Sequence, residues 1–277
     1  MAAAKKRRPA TTESASRSTR RAGEQRYNAP ALEKGLFILE AVSKAPAPIK
    51  TDEIAAAVGS SRNKIYRMLQ VLEHQGYISR SALGYRATNK LFALGMHTPP
   101  VKDLTTAALP EMAELAEALG HSVHLVVPSN DEIVFIARLE SPAAFGFTVS
   151  LGYRRPILES TSGRVLFAFQ TPERQAQWLR SLRPTAPAHV DVDAFSRDAQ
   201  QVRKHGWLVR PSVTVEGVID ICAPIWGADS ENCVANLLVP YMGIIGQKCT
   251  VDDAARRCRA AANRITARLR PHLRSEP

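Results

Sequence analysis

The 277-residue chain has no run of 18 or more apolar residues, so nothing in it reads as a membrane-spanning helix. Its first residues, MAAAKKRRPATTESASRSTRRAGEQR, lack the apolar core of a secretory signal. Cysteine is scarce. The four present, Cys222, Cys233, Cys249 and Cys258, form no C-x-x-C pair. That spacing argues against a zinc ribbon or a dithiol centre and fits free thiols in a reducing cytoplasm, the expected location. P-loop, G-x-G-x-x-G and nucleophile-elbow patterns are missing, and no other catalytic constellation replaces them. The expectation is therefore not an enzyme, and no cofactor is required. His121 and His124 have H-x-x-H spacing, but on a strand they fall on opposite faces, which argues against a shared metal.

Acidic residues are few in the first third of the chain. The net charge is +11, and residues 1–98 hold 17 Lys/Arg against 7 Asp/Glu, while residues 99–277 hold 20 against 19. Nearly all the excess sits on one segment, which is the footprint of a polyanion-binding domain joined to a neutral one. Residues 1–27 read as a disordered basic arm, rich in Ser, Thr and Ala. Such an arm either draws the chain to DNA electrostatically or only solubilises it.

Residues 51–86 read as a helix-turn-helix followed by a β wing. TDEIAAAVG and SSRNKIYRMLQVLEHQG are two helical patterns meeting at Gly59, Ser60 and Ser61. In the second, Ile65, Met68, Leu69 and Leu72 form an apolar stripe at i, i+3, i+4 and i+7, with Asn63, Arg67, Gln70 and His74 opposite. Such a helix suits the major groove of double-stranded DNA, where Arg and Lys donate to guanine and Asn and Gln pair with adenine. Ser61, Arg62, Asn63, Lys64, Tyr66 and Arg67 are the candidate DNA contacts on the helix. Tyr85 and Arg86 are candidates at a wing tip placed at residues 84–86. A helix over about 31–44 is expected to bury Leu32, Leu36 and Leu39. Thr51 is the expected N-cap of the next helix, Ser60 or Ser61 caps the recognition helix, and Gly76 stops it.

The expected division is 28–90 for the winged helix, 91–100 for a helical linker and 101–277 for a second, α+β domain. A helix over about 101–119 leads into strands HSVHLVV, EIVFIARL and FGFTVS. Helices follow over 160–169, 171–182 and 193–204. Strands WLVR, VIDICAPI and CVANLLV precede an Arg-rich helix over about 251–271, capped by Thr250 and Asp253. On VIDICAPI, Ile219, Ile221 and Ala223 point to a core, while Asp220 and Cys222 point the other way, as a polar cavity requires. Asn236 and Leu238 share a face of the neighbouring strand. Thr161, Ser162 and Gly163 begin a helix, where free amides favour an anionic group. Arg210 is placed either to bond a carboxylate or to satisfy Asp220 as an ion pair.

These residues resemble the IclR family of bacterial transcriptional regulators over about 28–272. ALEKGLFILEAV is similar to the family's opening helix, and TDEIAAAVG through SRNKIYRMLQVLEHQGYISR to its winged helix-turn-helix. GHSVHLVV, SGRVLFA after RRP, HGW and EGVIDICAPI follow its second domain. The resemblance implies a GAF-like effector domain, dimers paired into tetramers, and an effector that is a small organic acid or aromatic compound. The chain departs from the family pattern at Ile157-Leu158, Arg210, Asp220, Asn236 and Leu238, all in the expected effector region. The function expected is a DNA-binding regulator. Two copies would place recognition helices on a pseudo-palindromic operator, and a carboxylate effector bound near Thr161, Ser162, Gly163, Arg210, Asp220, Cys222, Asn236 and Leu238 would control affinity. A ligand-independent architectural DNA-binding protein is the alternative.

Overall fold

The computed structural model describes residues 29–96, 99–143, 146–228, 231–243 and 249–270. The expected arm lies outside them. Helix α1 (Pro30–Lys44) packs on the helix-turn-helix formed by α2 (Thr51–Ala57) and α3 (Arg62–His74). Strands β1 (Ile78–Ser81) and β2 (Gly84–Ala87) form the antiparallel wing. Their common core is Ile38, Val42, Ile54, Ile65, Leu69, Ile78 and Tyr85.

Three expectations for this region are corrected. In α1, Leu32 and Leu36 are exposed, and Ile38 with Val42, one turn apart, face the core instead. Helix α2 begins at Thr51 itself, because the Glu53 carboxylate accepts the backbone amide of Lys50 at 2.7 Å and sets the cap one residue earlier. The wing turns at Ala82-Leu83, not at 84–86. Ser61 does hold the N-cap position of α3, though its side chain makes no capping bond, and Gly76 follows the helix at φ +73.

Helix α4 (Lys90–Met96) leads to α5 (Pro99–Leu119), so most of the expected 91–100 linker is helical. Six strands form one antiparallel sheet: β3 (Val123–Ser129), β4 (Glu132–Leu139), β5 (Arg154–Pro156), β6 (Leu208–Pro211), β7 (Val218–Trp226) and β8 (Cys233–Met242). Their spatial order is β5-β4-β3-β8-β7-β6. One face packs on α5 and α9 (Val251–Leu269) through Met112, Leu125, Ile221, Ala223, Leu237 and Ile265. The other face carries α6 (Thr161–Ala168), α7 (Pro172–Leu182) and α8 (Val192–His205) over Val126, Phe135, Cys222 and Leu238.

A bulge decides what β4 shows to that second face. Leu125 pairs with Ala137 but Val126 pairs with Phe135, so Ile136 is the extra residue. Ala137 therefore joins the core under α5 and α9, while Ile133 and Phe135 turn to the opposite side. The expected strand FGFTVS is not formed. Its described part, 146–150, is an irregular strap held by His124, whose Nε2 accepts the Val149 amide at 3.0 Å. The third strand of that edge is β5 instead. Burial holds His124 neutral, lowering its pKa to about 4.

Within the wing, Gly84 has φ +133, and a Cβ there would lie 2.6 Å from the Ile49 carbonyl oxygen. Ile49 and Tyr85 exchange two backbone hydrogen bonds of 2.9 Å at this point. Gly84→Ala is expected to cost about 1–3 kcal/mol, from left-handed strain plus the clash. Hydrogen exchange at the Ile49 and Tyr85 amides checks this, and unchanged protection contradicts it.

Candidate DNA-binding surface and effector cavity

Recognition helix α3 buries Ile65 and Leu69, with Met68 and Leu72 packed beside them. That fixes its rotation. Asn63, Lys64, Tyr66 and Arg67 are left exposed on the other side. Arg62 lies 3.7 Å from Asp52, a pair so exposed that it contributes little. Arg67 forms no ion pair among the described residues. The wing corrects one site expectation. Tyr85 is 3% exposed, a core residue that cannot reach a nucleic acid. It pairs across the wing with Arg80, whose guanidinium carbon lies 5.8 Å from the Tyr85 ring centroid. Arg86 is exposed as expected, and Arg80 is a second exposed wing cation that the sequence reading passed over, although it stands in the quoted YISR.

The second domain holds a small, partly open cavity of about 50 Å³ between the sheet, the strap and the start of α6. Thr161, Ser162, Asp220 and Leu238 line it together, across 59 to 77 residues of sequence. Its apolar wall is Phe135, Phe147, Val149 and Leu238, and its polar wall is Arg155, Thr161, Ser162 and Asp220. Phe145, the first residue of FGFTVS, lies outside the described residues.

Helix α6 is positioned by its own first turn. Ser160 is the N-cap, and its Oγ accepts the Gly163 amide at 2.9 Å. The amides of Thr161 and Ser162, at N1 and N2, have no carbonyl four residues back within the helix. Thr161 donates its hydroxyl to Asp220 Oδ2 at 2.7 Å. Ser162 donates its hydroxyl to Asn236 Oδ1 and accepts the Asn236 amide at its carbonyl, each at 3.1 Å.

Those reciprocal bonds correct the reading of Asn236. It is fully buried and its side-chain amide is occupied, so it anchors α6 to β8 and does not line the cavity. Cys222 is likewise behind Ser162, 3.9 Å from its hydroxyl, and burial pushes the thiol well above its ordinary pKa. Gly163 is needed for close approach, since a Cβ would meet the Ile157 carbonyl oxygen at 2.1 Å. Arg210 is opposite Asp220 in register, but it opens into a neighbouring groove and forms no ion pair with that carboxylate.

The cation of the cavity is Arg155. Its Nε donates to the Glu159 carbonyl at 2.9 Å and its Nη1 to Thr214 Oγ1 at 3.0 Å. Nη2 has no hydrogen bond among the described residues. Sequence reading missed it because β5 is short and its place against β4 follows from no periodic pattern. Burial raises the Asp220 pKa, and hydrogen bonds from Thr161 and Ser212 with the charges of Arg210 and Arg155 pull it part of the way back. Among the described residues no group of His, Cys, Asp and Glu is arranged to hold a metal ion, and no helix is long and apolar enough to cross a membrane.

A buried carboxyl with a raised pKa gives a testable sign. The folded state holds its proton to higher pH than the unfolded chain, so stability falls as pH rises between the two values. Asp220→Asn is expected to remove that dependence and to unfold at higher urea concentration at neutral pH. Urea titrations across the acidic to neutral range check this. An unchanged slope, or lower stability at neutral pH, contradicts it.

Comparison with known proteins gives one consistent result. The family model for the IclR helix-turn-helix domain matches residues 31–82, and that for the bacterial transcriptional regulator IclR C-terminal domain matches 97–267. The HTH-type transcriptional regulator KdgR of Escherichia coli K12 is 25% identical over 225 residues, covering 79% of this chain and 85% of KdgR. The glycerol operon regulatory protein of Streptomyces coelicolor is 25% identical over 202 residues, 72% of this chain and 79% of that protein. Among solved structures, the Thermotoga maritima IclR aligns with a TM-score of 0.66 at 22% identity, covering 86% of this chain and 98% of its own. An IclR homolog from Microbacterium hydrocarbonoxydans, complexed with 4-hydroxybenzoate, aligns with a TM-score of 0.71 at 22% identity, with the same coverage. With its helix-turn-helix followed by an α+β domain on a curled sheet, the chain belongs to the IclR family of bacterial transcriptional regulators, DNA-binding proteins and not enzymes.

Proposed function

We propose that this regulator binds a small amphipathic organic acid in the cavity of its second domain, and that occupancy changes its affinity for a pseudo-palindromic operator. The observation that carries the reading is the cavity's division into two walls. Arg155 offers its Nη2 to a carboxylate, and Asp220 with Thr161 offers acceptor and hydroxyl groups to a polar substituent. Phe135, Phe147 and Leu238 cover an apolar body. The 4-hydroxybenzoate bound by the Microbacterium homolog has that division, an acid at one end of a ring and a hydroxyl at the other. A volume of about 50 Å³ holds on the order of four water molecules, and an outward shift of the strap would enlarge it for a ring. The strap carries Phe147 and Val149, and its described residues form no strand ladder. We propose further that two copies act together, setting two α3 helices into successive major grooves.

The test separates the two sites. Arg67→Ala and Asn63→Ala are expected to weaken operator binding by about 1–3 kcal/mol each through lost base contacts, with no loss of folding. Arg155→Gln and Asp220→Ala are expected to abolish the response to the effector while leaving DNA binding by the free protein near wild type. Fluorescence anisotropy on operator DNA, with effectors found by thermal-shift screening of small acids, reads both. Unchanged operator affinity in both α3 variants overturns the recognition surface. Equal effector response in wild type and both cavity variants overturns the cavity.

A further inference from the structure

Next to the cavity a second concavity opens between α6, α8 and β6. It is a groove of about 530 Å³ whose walls include Arg164, Asp198, His205, Trp207, Arg210 and Pro211. Arg164 is largely enclosed, with 15% of its side chain exposed. Its Nη1 donates to the Ser160 carbonyl at 3.2 Å, and its guanidinium lies over Phe195, 5.3 Å from the ring centroid. Its Nε is buried 3.5 Å from Asp198 Oδ2, without hydrogen-bond geometry. The Arg210 side chain has no hydrogen bond and no ion pair among the described residues.

Two guanidinium groups thus share one groove with a single carboxylate, and that carboxylate is 56% exposed. Their mutual repulsion is unfavourable, and solvent screening is weak around the enclosed one. Burial first, and the Arg210 charge second, pull the Arg164 pKa below the ordinary arginine value. An anion between them would relieve both effects and fill hydrogen-bonding positions that the chain leaves open. Guanidinium forks match carboxylate and phosphate oxygens two at a time.

We propose that this groove is a second ligand site, separate from the cavity, which takes a small oxyanion with two negative charges, a dicarboxylate or a phosphate monoester, held by Arg164 and Arg210. The site stands one cross-strand step from the cavity, because Arg210 is the register partner of Asp220. A groove anion therefore changes the field at the cavity's own carboxylate. Calorimetric titration of the full-length protein with inorganic phosphate and, separately, with malonate at constant ionic strength tests the proposal. Saturable binding of phosphate alone supports a phosphate ester, of malonate alone a dicarboxylate, and of both the shared chemistry. Arg210→Gln is expected to weaken that binding about tenfold, in the range of one charge-assisted hydrogen bond near the surface. In an Arg155→Gln background, which removes the cavity's own cation, saturable binding is expected to persist and still to weaken with Arg210→Gln. Arg164 also supports α6, so Arg164→Lys is the second variant. It keeps the charge and loses the fork, and it is expected to weaken binding at an unchanged melting temperature. Absence of saturable binding of both probes, equal affinity in Arg210→Gln and wild type, or no weakening by Arg210→Gln in the Arg155→Gln background overturns the proposal.

Discussion

The start of α6 sits against the turn before it with no space for a side chain. A Cβ at Gly163 would lie 2.1 Å from the Ile157 carbonyl oxygen and 2.6 Å from Ser160 Oγ, both on the preceding turn. Glycine at this position lets the Ser160 hydroxyl cap the helix. The helix then projects Thr161 onto Asp220 and Ser162 onto Asn236, and one turn later places Arg164 in the second groove. The cavity and the second groove are walled by the same eight-residue helix, so a displacement of its first turn is felt in both. The interior behind it is close-packed, which leaves little room for partial adjustment.

The winged helix follows a related logic with a different outcome. Gly84 admits the Ile49 backbone, and the two bonds between Ile49 and Tyr85 extend the wing by one bridge. Tyr85 is drawn into the core by that pairing, while its neighbour Arg86 faces solvent by strand alternation. Arg80 then lies along the buried ring on the outer side. The wing offers cations because its aromatic residue is committed to the interior.

Much of this was legible in the chain. Period 3.6 in α3 and period 2 in β7 each assign faces without outside help, and Asp220 and Ile221 fall on the sides that alternation gives them. Gly76, Thr171 and Gly206 mark helix ends by chemistry that is local. What was hidden depends on partners far away in sequence. The bulge at Ile136 inverts the faces of β4 relative to simple alternation. Asn236 reads as a ligand-binding amide until its two bonds to Ser162 are seen. In α1 the leucines at 32 and 36 have helical spacing too, but Ile38 and Val42 are the ones that meet α3, and spacing alone does not choose between two apolar stripes. Arg155 and Arg210 are both arginines on short edge strands, and only the sheet order puts the first into the cavity and the second beside it.

An effector in the cavity alters DNA affinity only by the difference in its affinity for two arrangements of the protein. The route for such a difference runs through the sheet to α5, the element that follows α4 and the wing in the chain. The inner part of α5 is fixed. Glu111 is 3% exposed and accepts Arg264 and Arg268 of α9, the latter at 2.6 Å. Both arginines are about half exposed, so solvent screens the pair, but together with the apolar packing between the two helices it ties α5 to α9. That unit packs on Ile221 and Leu237, whose strand neighbours Asp220, Cys222 and Leu238 face the other side. A strand cannot shift one face without the other, because successive side chains share one backbone. A ligand seated as proposed against Asp220 and Leu238 would therefore bear on the α5–α9 pair through single peptide units of β7 and β8, with no need for a longer chain of side-chain contacts.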